Sequence, residues 1–178
     1  MSNIIDSDSI QEDSLEQFAG NLWAILDIEP PLDVQLIAER LGVRLEKDHL
    51  GLRVSGLAFV NCNGTRFAIT NQMESPTRQR FVGLHEIAHH LFDKPCEGII
   101  LMDRSNKFSV DPVEYRADKF AAALLMPDFW VIQYWDDLKT NPDYRIEIMA
   151  DRFDVSIESM KFRLRELDVH DSHYHQRV

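Results

Sequence analysis

The chain has 178 residues, 44% of them hydrophobic and 28% charged, enough for one compact domain with a buried core. A formal net charge of -11 and a sequence pI near 5.0 disfavour a nucleic-acid backbone or an anionic membrane surface as the main partner. The acidic start MSNIIDSDSIQEDSLEQ has neither the basic residues nor the apolar stretch of a secretion signal, and no apolar run is long enough to span a bilayer. With only Cys62 and Cys96, at no paired spacing, the expectation is a cytoplasmic protein with reduced thiols.

In chain order, residues 1–10 read as a flexible tail. Leu15, Phe18, Leu22 and Ile25 recur at helical spacing and predict a helix to Leu26, ended by Pro30-Pro31. Residues 32–41 predict a short helix stopped by Gly42, then a strand from Val43. Leu57–Val60 and Arg66–Thr70 flank Asn63-Gly64, a strong hairpin signal. Ser75-Pro76 opens a helix that runs through Phe81, Leu84, Ala88 and Leu91. A connection over 93–110 carries a strand near Gly98–Met102. Helices follow over 111–126 and 128–138, then 144–153 and 156–167, before a loose tail. The class is α+β and mostly helical, with a small antiparallel sheet. The expected division is a tail 1–10, a core 11–138, a short C-terminal helix-turn-helix-like module 139–169 and a tail 170–178.

The third of these helices carries His85-Glu86-Ile87-Ala88-His89, an HExxH pattern. Residues four apart share a helical face, so both imidazoles can reach one ion while Glu86 sits beside its open side. The pattern arises by chance in roughly one sequence of this composition in fifty. Its place on an independently predicted helix therefore carries the argument.

A catalytic zinc needs a third protein ligand and one open position. The next helix offers Glu114 and Asp118, again four apart. Glu114 reads as the third ligand and Asp118 as the acceptor that orients a liganding histidine. Asp111-Pro-Val-Glu114 also fits a capping box, which would make Glu114 a helix cap instead. Tyr115, His90 and Tyr144 are candidates for steadying an oxyanion or touching substrate. An extended peptide could align on an exposed strand of the 57–70 hairpin.

RQRFVGLHEIAHHLF (78–92) followed by EYRADKFAAALLMP (114–127) resembles the ImmA/IrrE family of metallo-endopeptidases, over roughly residues 31–130. The resemblance implies a zincin-like core with His85, His89 and Glu114 holding Zn2+ and Glu86 as catalytic base. It also implies a protein substrate such as a helix-turn-helix repressor or antitoxin. Alternatives are a regulator or toxin component that acts by binding, and a DNA-binding regulator through residues 144–167. Lys161, Arg163 and Arg165 make the latter segment locally basic, but Asp154 stands where a glycine usually eases such a turn, and direct nucleic-acid binding is not expected. His170, His173 and His175 cluster in a tail that reads as a disordered terminus without function, with adventitious metal binding as the alternative.

Overall fold

The computed structural model describes residues 12–93, 100–104, 111–138 and 142–169. Both expected tails, the histidine cluster of the second, and Cys96 lie outside the described residues. Four strands and seven α-helices follow the chain order α1 (Glu12–Leu26), α2 (Val34–Arg40), β1 (Val43–Asp48), β2 (Val54–Val60), β3 (Arg66–Asn71), α3 (Pro76–Phe92), β4 (Ile100–Arg104), α4 (Pro112–Leu125), α5 (Asp128–Asp137), α6 (Arg145–Phe153) and α7 (Ile157–Glu166). The α+β, mostly helical class stands. Among the described residues no helix is long and apolar enough to cross a membrane.

The sheet is mixed rather than wholly antiparallel. Its order is β1-β3-β2-β4, with β1 parallel to β3 and the other two pairings antiparallel. The β2–β3 hairpin forms where Asn-Gly was read, with Gly64 at φ 75 and its N–H bonded to Asn61 O at 2.9 Å. The chain leaves β1, crosses the end of β3 through residues 49–53, and enters β2. Buried Asn71 holds that crossing, donating from Nδ2 to Gly51 O at 2.7 Å and Val54 O at 2.8 Å. Both hairpin strands are therefore paired on both sides. The hairpin offers no open edge to a peptide, which corrects the expected docking strand; the sheet's edges are β1 and β4.

α3 begins at Ser75, whose Oγ accepts from Arg78 N at 3.3 Å, with Pro76 in the first turn. From Val82 to His90 every residue is buried, because the sheet covers one side of the helix and α4 packs on the other. Polar groups on such a helix need partners within the protein. α4 brings Ala117 and Ala121, both fully buried and small enough for close helix approach.

The apolar core runs without a break across the expected boundary at 138/139. Met149, Ala150, Phe153, Val155, Met160 and Leu164 share one cluster with Trp23, Phe120 and Leu124. Asp154 makes the tight turn between α6 and α7 at φ 51, in the left-handed region that aspartate tolerates. Arg80 secures it, with Nε 3.1 Å from Asp154 Oδ2 and from its carbonyl O. Of the basic trio on α7, Arg163 is 1% exposed and bonded inward, to Met126 O at 2.8 Å and to Glu16 and Glu166.

Candidate metal centre

The buried stretch of α3 places His85 and His89 one turn apart, rings at 78° with centroids 4.8 Å apart. α4 crosses beside them and its first turn supplies Glu114. His85 Nε2 lies 3.0 Å from Glu114 Oε2, the two Nε2 atoms lie 3.1 Å apart, and His89 Nε2 lies 3.6 Å from Glu114 Oε1. These three residues form the one group among the described residues able to hold a metal ion. The Glu114 carboxylate faces the imidazoles, while the cap of α4 is made by Asp111, whose Oδ1 accepts from Val113 N at 2.9 Å.

The far sides of the rings determine what the near sides can do. His85 Nδ1 is 2.9 Å from Asp118 Oδ1 and His89 Nδ1 is 2.7 Å from Asp93 Oδ2. A carboxylate accepts only, so each Nδ1 carries the proton and each neutral ring turns an Nε2 lone pair into the same gap. Two lone pairs and a carboxylate converging on one point require a cation there. A tetrahedral ion bound at about 2.0–2.2 Å would space its ligands about 3.3–3.6 Å apart, so the observed separations need adjustments of only a few tenths of an ångström. The donor set fits a divalent metal.

Without a metal the same gap holds a proton. Burial, the largest single influence on His85, pulls its pKa down, but hydrogen bonds to Asp118 and Glu114 and the charges of Glu86 and Asp118 together raise it to about 10. The hydrogen bond from His85 in turn holds Glu114 below the ordinary carboxylate value. Glu86 is fully buried and turns toward β2 at Gly56.

Asp93 is the residue that sequence reasoning missed. It stands four beyond His89, a same-face spacing that could have revealed it, and it is also the C-cap of α3. Its second oxygen pairs with Arg116 of α4. The other candidates do not join the trio. His90 is buried but directs Nε2 to Phe67 O at 2.8 Å, tying α3 to β3, and burial depresses its pKa. Tyr115 is half exposed beneath Lys119, whose Nζ lies 5.1 Å from the ring centroid. Tyr144 is exposed at the start of α6.

A buried HExxH helix joined to a carboxylate from the next helix defines a metallopeptidase. The chain belongs to the peptidase family M78, the IrrE N-terminal-like domain, whose model matches residues 33–165. The match passes residue 130, where the resemblance was expected to end, and continues through α6 into α7. No curated protein matches the chain.

Proposed function

We propose that this protein is a cytoplasmic zinc endopeptidase that cuts a partner regulatory protein, such as a helix-turn-helix repressor or antitoxin. The observation that carries the catalytic part is the convergence of His85 Nε2, His89 Nε2 and the Glu114 carboxylate on one point, with both Nδ1 atoms held by carboxylates. Membership of a peptidase family supports it. The partner and the compartment rest on the family resemblance and on the acidic composition of the sequence.

Zinc held by these residues would polarise the scissile carbonyl and bring the pKa of water towards about 7. Glu86, beside His85 on α3, takes a proton from the attacking water and returns it to the leaving amine, a step contributing about 10²–10⁴-fold. Asp118 and Asp93 hold the two imidazoles in the tautomer that keeps Nε2 free. The substrate backbone aligns on β4, the edge strand next to β2, through main-chain hydrogen bonds.

Glu86→Gln tests this reading. The variant should retain about one zinc per chain and lose cleavage of any substrate that the wild type cuts. Cleavage at the native rate by the variant would end the proposal.

A further inference from the structure

Glycine weakens a strand interior, because it costs backbone entropy and offers nothing to pack. Gly56 nevertheless lies in β2 with β3 on one side and β4 on the other. Its φ is not among the positive ones, so conformation is not the reason. Space is. A Cβ there would come 2.4 Å from Val82 Cγ1, 2.6 Å from Glu86 Oε1 and 3.0 Å from Glu86 Cγ. Val82 and Glu86 are both fully buried.

The height of the β2 backbone under Glu86 is also fixed. The register between β2 and β4 shifts between Val54 and Gly56, leaving Ser55 as the extra residue of a bulge. Bulges re-aim the chain and recur beside active sites. Ser55 is buried, and its Oγ donates to Glu74 Oε1 at 3.0 Å. Glu74 immediately precedes Ser75, the N-cap of α3. The bulge is thus tied to the root of the helix that bears Glu86.

We propose that Gly56 is a positioning residue for Glu86. The missing side chain lets the carboxylate lie against the β2 backbone, and the bulge at Ser55, fastened by Glu74, sets how far it stands from the attacking water. The proposal rests on the peptidase reading above. The His85, His89 and Glu114 atoms are not among those nearest a Cβ at 56, so a side chain there moves the base and spares the metal ligands.

Two variants test it: Gly56→Ala, and Gly56→Ala combined with Val82→Ala, which removes the clash with valine and leaves Glu86 as the obstacle. Each is read by crystal structure, by zinc affinity in chelator competition, and by kcat and KM on a quenched-fluorescent peptide library. The double variant should fold, bind one zinc within about threefold of wild-type affinity, and show a displaced Glu86 carboxylate. Its kcat should fall about 10²-fold, with KM within about twofold. An undisplaced carboxylate or a wild-type kcat overturns the proposal. So does a parallel loss of zinc affinity and kcat, or failure of the double variant to fold, since both signify general damage. If the wild type cuts nothing in the library, the peptidase reading loses its support, while the carboxylate position in the crystal still decides the role of Gly56.

Discussion

His89 and Asp93 are joined twice across one turn of α3: Nδ1 lies 2.7 Å from Oδ2, and Asp93 N donates to His89 O at 3.0 Å. The residue that ends the helix is therefore also the one that orients its second imidazole. Asp118 does the same for His85 from α4, but its side chain is 58% exposed against 13% for Asp93. A hydrogen bond to a charged group strengthens as water is excluded.

Asp93→Ala should therefore cost more zinc affinity than Asp118→Ala. Loss of such an outer partner typically weakens metal binding by about 10–100-fold, and Asp93 belongs at the upper end. Competition with a fluorescent chelator measures both. The reverse order would mean that orientation of His85, not of His89, limits binding.

The metal-free protein should respond to pH through His85. Its pKa in the folded chain is about 10 against an ordinary value of 6.5, so the proton it holds stabilises the fold fully below about pH 6.5. That contribution disappears as pH rises through 10. A protein stripped with EDTA should thus melt at progressively lower temperature from pH 6.5 to 10. The zinc-loaded form, having exchanged that proton for the metal, should lack this slope. Glu114 acts oppositely: its lowered pKa gives stability above the ordinary 4.5 that is lost as pH falls through the folded value. Scanning fluorimetry in buffers with and without EDTA reads the difference. A flat metal-free profile between pH 6.5 and 10 would contradict the hydrogen bonding drawn for His85.

Local signals were legible in the sequence where one residue fixes one conformation. Asn63-Gly64 gave the hairpin, Ser75-Pro76 the start of α3, and the i,i+4 pairs His85/His89 and Glu114/Asp118 the faces that meet. What stayed hidden was long-range. Parallel pairing of β1 with β3 leaves no turn signature, since the link between them contains β2. Asp93 looked like the start of a loop because helix ends are read poorly from pattern alone. The reach of Arg163 from α7 to Met126 O and Glu16 depends on the packing of two other segments, the end of α4 and α1.

Asn71 shows the cost of such a hidden contact. Its side chain bonds Gly51 O and Val54 O, and its Oδ1 accepts from Met73 N at 3.1 Å. Asn71→Ala would take this partner from the part-buried Gly51 and Val54 carbonyls, at about 1–3 kcal/mol for each group that water cannot reach. Urea unfolding should register a lower midpoint, with faster amide exchange concentrated in β1 and β2. An unchanged midpoint would show that the crossing is held by other contacts.

Arg163 makes the strongest stability prediction. Its guanidinium is almost wholly buried, with Nη2 2.6 Å from Glu16 Oε1, Nη1 3.1 Å from Glu166 Oε2 and Nε on Met126 O. Burial is the largest influence on Glu16 and raises its pKa despite the arginine. Removing one partner from a buried ion pair typically costs about 3–5 kcal/mol, because the remaining charges lose their counterion. Arg163→Met should approach that loss in denaturant unfolding. Arg163→Met with Glu16→Gln should recover part of it, since the double change removes a partly buried charge that the single change strands. Equal loss in both variants would mean that the guanidinium acts by packing and by its bond to Met126 O, not as a counterion. Arg165 and Lys161 on the same helix are exposed, and neutralising them should change stability by no more than about 0.5 kcal/mol.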